Sequence, residues 1–145
     1  MKAVRAISHI GVAVKNIAEA RRFYEKTLGA RYEGRETVPG QKVTVAFFTL
    51  GGVRIELIEP TDASSPVAAF IEKRGEGLHH IAYTVDDLPS RIAELKAAGI
   101  RMIDAQPRPG AHHSQIAFIH PKSSHGALTE LCQPAENAEP QTPRG

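Results

Sequence analysis

The chain has 145 residues, 41% of them hydrophobic and 23% charged, a balance that supports one globular core. No apolar run approaches the roughly 20 residues that span a bilayer, and the N-terminus lacks the pattern of a secretory leader, so a membrane partner is not expected. The net charge of +2 with scattered Lys and Arg argues against a nucleic-acid partner, and the single cysteine, Cys132, fits a reducing, cytoplasmic setting.

The first pattern along the chain is a strand: Ile10, Val12 and Val14 alternate with smaller residues within Ile7–Val14. Asn16 is placed to cap a helix with Glu19 three positions on, and Ile17, Ala20, Phe23, Tyr24, Thr27 and Leu28 recur at helical spacing up to Gly29. A strand over Arg31–Val38 follows, then a Pro39-Gly40 turn, a strand over Val43–Leu50, a Gly51-Gly52 hairpin turn and a strand over Val53–Glu59. Ser65-Pro66 opens a short connector helix that ends near Gly75. His80–Val85 reads as a strand, and Asp86-Asp87-Leu88-Pro89 opens a helix with Leu88, Ile92 and Leu95 inward, stopping at Gly99. Asp104–Ser114, rich in Pro, Gly and His, reads as a loop, and the polar, Pro-rich tail from Gln133 onward is expected to be disordered.

The chain repeats itself. An offset of 71 positions carries His9 onto His80, Ile10 onto Ile81, Val14 onto Val85 and Ile17 onto Leu88, and an offset of 74 carries Gly52–Leu57 onto Gly126–Leu131. Two tandem βαβββ modules are implied, each with one sheet face to bury. The predicted class is α+β: a single domain over residues 1–133, with module one at about 5–60, a connector helix at about 64–75 and module two at about 76–133, forming a curved mixed sheet around a metal-binding cleft. Residues 134–145 are expected to be a flexible tail.

Each repeat brings one histidine and one glutamate into places that ordinary packing disfavours. His9 shares its strand face with Gly11 and Ala13, and His80 with Ala82 and Thr84, so there is room beside each imidazole. Glu56 and Glu130 lie inside apolar strands, where a carboxylate is costly unless it is paired or bound to a metal. Two histidines and two glutamates at matched places form an N/O ligand set suited to a divalent cation, with positions left for water or substrate. His79 falls on the opposite face and reads as structural. His112, His113, His120 and His125 fall in or near loops, as exposed or substrate-facing groups rather than ligands.

A duplicated βαβββ chain with His, Glu, His and Glu at these places resembles the vicinal oxygen chelate superfamily, which includes glyoxalases, bleomycin resistance proteins and ring-cleaving dioxygenases. Within it, Gly77–Leu88 and His120–Leu131 resemble the signatures of methylmalonyl-CoA epimerases, with His120-Pro121-Lys122 where glyoxalase I and the dioxygenases usually carry an Asp-Pro-Asp-Gly type of turn. The resemblance implies metal ligation by His9, Glu56, His80 and Glu130, with a cation such as Co²⁺, Mn²⁺, Zn²⁺ or Mg²⁺. It further implies Glu130 as the catalytic base, an acyl-CoA substrate epimerised through a metal-stabilised enolate, and a homodimer. Some epimerases carry a second catalytic Glu at the position of Val45, which holds no proton; Glu130 is then expected to act with a metal-bound water or a loop residue such as His113. Lys122 and Arg108 are candidates to meet the coenzyme A phosphates. The alternatives are a glyoxalase I-type lyase acting on a hemithioacetal and a small-molecule-binding or resistance protein of the same fold that performs no reaction.

Overall fold

The structure is a computed structural model that describes residues 1–136. The expected flexible tail lies, from residue 137 on, outside the described residues. The chain divides into two compact units, one of His9–His79 and one of Met1–Ser8 with the described residues from His80 onward.

The first unit contains β1 (Ala6–Ala13), which belongs to it from His9 on, then α1 (Ile17–Arg21), β2 (Arg31–Val38), β3 (Val43–Leu50), β4 (Val53–Pro60) and the connector helix α2 (Pro66–Arg74). Its strands are ordered β2-β3-β4-β1, antiparallel except that β1 and β4 run parallel. The Asn16 side chain accepts the Glu19 N–H at 3.0 Å, the expected cap. The helix itself departs from expectation, because after α1 the segment Arg22–Thr27 is a π-helix. The Leu28 N–H reaches the Phe23 carbonyl, five residues back, at 3.1 Å. This wider turn carries Leu28 off the apolar stripe, so Phe23 and Leu28 are exposed while Ile17 is buried and Ala20 and Tyr24 pack on the core.

That core consists of Val14, Ile17, Ala30, Ala46, Phe48 and Leu57. The β2/β3 ladder places Tyr32 opposite Phe48, on the same side as this core, and their rings lie 5.4 Å apart. Between Tyr32 and Arg35 the register shifts by one residue. Gly34 sits in this bulge at φ +104, a backbone conformation that glycine adopts without a Cβ clash. Beyond the bulge, Glu36 pairs with Val45 and Val38 with Val43.

The second unit contains β5 (Gly77–Thr84) from His80 on, α3 (Leu88–Ala97), β6 (Arg108–Pro109), β7 (Gln115–Ile119) and β8 (Thr129–Gln133), ordered β5-β8-β7-β6. The parallel pair is β5 with β8, as β1 is with β4. Asp87 caps α3 through the Ser90 N–H at 3.2 Å, and Pro89 sits in its first turn. Where the sequence suggested only a loop over Asp104–Ser114, the structure has the two-residue strand β6 and a short 3₁₀ turn over Ala111–His113. Gly110, at the bend between them, has no room for a side chain: a Cβ there would lie 2.5 Å from Ser114 Oγ and 2.7 Å from Ile116 Cγ2.

Its core is Val85, Leu88, Ile92, Ala117, Ile119 and Leu131. Five of these repeat the first core, Val14, Ile17, Ala46 and Phe48 recurring 71 positions on as Val85, Leu88, Ala117 and Ile119, and Leu57 recurring 74 positions on as Leu131. The N-terminal residues are tied to this unit by the Arg5 N–H to the Thr84 carbonyl at 2.9 Å, Arg5 to Asp86 at 3.1 Å and Arg91 to the Lys2 carbonyl at 2.6 Å. No helix among the described residues is long and apolar enough to cross a membrane.

Candidate functional site

The four residues singled out in the sequence are all buried: His9 at 6% exposure, Glu56 at 6%, His80 at 8% and Glu130 at 4%. In the first unit, β1 and β4 run side by side with Gly11 opposite Glu56. His9 is two residues before Gly11 and so shares its face. The small Gly11 leaves space for the imidazole and carboxylate to meet, and His9 Nδ1 lies 3.1 Å from Glu56 Oε2. In the second unit the same register recurs, with Ala82 opposite Glu130, and His80 Nε2 lies 3.8 Å from Glu130 Oε2.

The walls of the two pairs also repeat. Phe47 stands opposite Glu56 on the β3/β4 ladder, and Phe118 stands opposite Glu130 on the β7/β8 ladder. His80 packs edge-on against Phe118 with ring centres 5.5 Å apart. Each carboxylate therefore has an aromatic ring on one neighbouring strand and a glycine or alanine on the other. Arg54, two residues before Glu56 and on the same face, places Nη1 3.8 Å from Glu56 Oε2 and its guanidinium 5.3 Å from the centre of the Phe47 ring. Sequence reasoning missed Arg54, although its two-residue spacing from Glu56 was a usable signal.

The ligand chemistry can be tested within each unit. Two atoms each about 2.1 Å from a shared cation lie within about 4.2 Å of one another. The His9–Glu56 and His80–Glu130 separations of 3.1 and 3.8 Å both meet that limit. Imidazole nitrogen with carboxylate oxygen is a donor set for a first-row divalent cation. In both pairs the donors fit.

Other residues fall as follows. Val45 is buried at 4% exposure, on the same β3 face as Phe47, and stands between Glu36 of β2 and Ile58 of β4. His79 packs edge-on against Phe70 of α2 at 4.8 Å, consistent with a structural residue on the other face. His112 and His113 are exposed in the 3₁₀ turn, His125 is exposed, and His120 is half-buried, its Nδ1 accepting the Lys122 N–H at 3.0 Å. Burial lowers the His120 imidazole below its usual range, as do the nearby Arg101 and Lys122 cations. Lys122 is exposed; Arg108 lies with Nε 3.0 Å from Asp104 Oδ1 and its guanidinium 5.8 Å from the Phe118 ring centre. On the β6/β7 ladder Arg108 pairs with Ile116, the residue 71 positions after Val45.

Comparison with known proteins agrees with this geometry. Residues 8–118, more than half of the chain, match the model of the Glyoxalase/Bleomycin resistance protein/Dioxygenase superfamily. An uncharacterised protein, YqjC, of Bacillus subtilis is 49% identical over 128 residues, covering 88% of this chain and 91% of the relative. The ethylmalonyl-CoA/methylmalonyl-CoA epimerase of Cereibacter sphaeroides is 40% identical over 129 residues, covering 88% of this chain and 96% of the relative. Among solved structures, a variant of the Streptomyces coelicolor methylmalonyl-CoA epimerase in complex with 2-nitronate-propionyl-CoA superposes with a TM-score of 0.88 at 34% identity, covering 92% of this chain and 99% of that one. The resemblance to methylmalonyl-CoA epimerases read from the sequence is borne out, and with it the α+β fold class and the expectation of an epimerase-type enzyme. On these matches the chain belongs to the glyoxalase/bleomycin resistance protein/dioxygenase superfamily.

Proposed function

We propose that the chain epimerises methylmalonyl-CoA by removing and returning the α-proton, with His9, Glu56, His80 and Glu130 as ligands for a divalent cation and Glu130 acting as a base. The observation that carries the reading is the recurrence of a buried histidine–carboxylate pair at the same register in both units, His9 with Glu56 and His80 with Glu130. A single such pair can satisfy itself; two of them, with matching small neighbours and matching phenylalanines, describe a repeated device rather than a local accident of packing. The relatives named as epimerases support the substrate class.

A cation held by these residues would supply electrophilic stabilisation of the negative charge that develops on the substrate's oxygens. The residues themselves do the rest. The carbon between a carboxylate and a thioester is a carbon acid, and Glu130 takes its proton as the electron pair moves onto the thioester oxygen. Burial of Glu130 at 4% exposure keeps bulk water from crowding its carboxylate, so proton transfer is directed at the bound substrate. Phe47 and Phe118, opposite the two carboxylates, supply apolar surface that excludes water from the same places.

The test is incubation of the purified, metal-loaded protein with (S)-methylmalonyl-CoA in deuterated water. The expected result is loss of configuration with deuterium entering the α-carbon. An unlabelled, unchanged substrate, alongside turnover of the methylglyoxal–glutathione hemithioacetal, would overturn the reading. Elemental analysis of the dialysed protein provides a readout independent of activity: bound divalent metal is expected in the parent protein.

A further inference from the structure

We infer that Glu59 and Gln133 are positioning residues for the two histidine–carboxylate pairs. Each pins the strand that carries the glutamate to the helix that follows the strand carrying the histidine; the inference rests on the metal-dependent epimerase reading above.

In each unit the histidine and the glutamate stand on neighbouring parallel strands, β1 with β4 and β5 with β8. Their separation therefore depends on how far one strand is slid along the other. Main-chain hydrogen bonds alone do not fix that offset. The N–H and C=O groups repeat identically along a strand, and a displacement by two residues keeps every side chain on its own face while remaking the same kind of bonds. Such a slip moves a residue by about 6.6 Å. The His9–Glu56 and His80–Glu130 separations are 3.1 and 3.8 Å, and two ligands of one cation lie within about 4.2 Å of each other, so the site tolerates far less than one slip.

Beyond the ladder both units make the same two further contacts. In the first, Ala13 pairs with Ile58, the Val14 N–H donates to the Ile58 carbonyl at 2.9 Å, and the Ile17 N–H donates to Glu59 Oε1 at 3.1 Å. In the second, Thr84 pairs with Cys132, the Val85 N–H donates to the Cys132 carbonyl at 2.9 Å, and the Leu88 N–H donates to Gln133 Oε1 at 2.8 Å. Ile17 and Leu88 are the first residues of α1 and α3, so their N–H groups have no acceptor within the helix. Both residues are buried, at 1% and 0% exposure, and a protein acceptor has to replace water there.

Glu59 and Gln133 each lie three residues beyond the glutamate of their strand and project from the opposite face, the one that Leu57 and Leu131 turn to the cores. One face of the strand thus holds the ligand beside its histidine while the other is fastened to the helix. Unlike a ladder bond, this contact is specific to one register, because sliding the strand by a single residue carries the oxygen about 3.3 Å from its donor. The repeat shows which property matters. One copy has a carboxylate and the other a neutral amide, and both present an oxygen to the same helix N–H. The charge differs between the copies and the acceptor does not.

The experiment measures kcat, KM for methylmalonyl-CoA, Co²⁺ affinity by chelator competition, and Tm, all on the full chain. Gln133→Leu is expected to lose about 10²-fold in kcat with KM within about threefold of the parent, and to bind Co²⁺ at least about tenfold more weakly. Gln133→Glu restores the acceptor and is expected within about threefold of the parent in kcat and Co²⁺ affinity, by analogy with Glu59. Asp87→Ala is the structural control: it removes the other side-chain cap of α3, which bonds Ser90, and should lower Tm while leaving kcat and Co²⁺ affinity near those of the parent. In the first unit, Glu59→Leu should weaken Co²⁺ binding and Glu59→Gln should preserve it. A folded Gln133→Leu protein that differs from the parent only by the Tm loss it shares with Asp87→Ala overturns the inference and leaves the epimerase reading standing. A Gln133→Glu protein as impaired as Gln133→Leu does the same, as does failure of both Leu variants to fold, which assigns the two bonds to stability alone. A parent that binds Co²⁺ without epimerising overturns the epimerase reading, while the affinity comparison still decides the positioning role. A parent that does neither overturns both.

Discussion

The two units keep the same interior and differ at the outer edge. In each, a small residue stands opposite a buried glutamate, a phenylalanine flanks that glutamate, and a histidine two residues before the small residue meets it. The cores beneath correspond at five positions, three of them with the same residue. At the edge the copies part: β2 runs for eight residues and presents Glu36, whereas β6 has two residues and presents Arg108. A duplicated sheet thus holds its polar pairs fixed while the outermost strand, which is constrained by one neighbour rather than two, carries the chemical asymmetry.

If the two histidines are equivalent, removing either has the same consequence, and that is the largest effect expected. His9→Ala and His80→Ala should each lower bound metal per chain after dialysis. Both should cut turnover by more than the roughly 10–100-fold seen when only an outer partner of a metal ligand is lost. A variant of either kind that keeps the full metal load would break the equivalence. Next in size, Leu57→Ala and Leu131→Ala remove the same buried leucine from the two cores, Leu57 at 0% and Leu131 at 3% exposure. Each should cost about 2–5 kcal/mol in urea unfolding. A loss confined to one variant would show that the cores are copies in name only. The smallest effect belongs to the helix caps: Asn16→Ala and Asp87→Ala should each cost about 1 kcal/mol of stability. Asp87 should cost more, since its carboxylate accepts both the N–H and the hydroxyl of Ser90, at 3.2 and 2.9 Å, and carries a charge at a helix N-terminus. Equal losses from the two caps would remove that distinction.

Much of this molecule is legible in the sequence, because duplication prints the same signal twice. His9 and His80 sit among small residues, Glu56 and Glu130 sit among apolar ones, and the offsets of 71 and 74 locate the repeat without any structure. Three features were not legible. The π-helix over Arg22–Thr27 escapes a periodic reading, since Ile17, Ala20 and Tyr24 satisfy an ordinary helical spacing and nothing in the side chains announces a hydrogen bond five residues back. The facing of Glu36 escaped for a related reason. Simple alternation from Tyr32 assigns Glu36 to the Tyr32 side of the sheet, with Phe48 and the helix core; the register shift before Arg35 moves it to the Val45 side. The short strand β6 was missed because two residues cannot establish a period, and Arg108-Pro109 has the composition of a loop.

The bulge in β2 also bears on how such proteins can change. A strand with one extra residue can point Tyr32 one way and Glu36 the other, two demands that strict alternation forbids. Insertions and deletions in this edge segment, rather than substitutions at the inner positions, are therefore the changes that could turn a side chain to the other face of β2 without rebuilding the pairs that the inner strands hold.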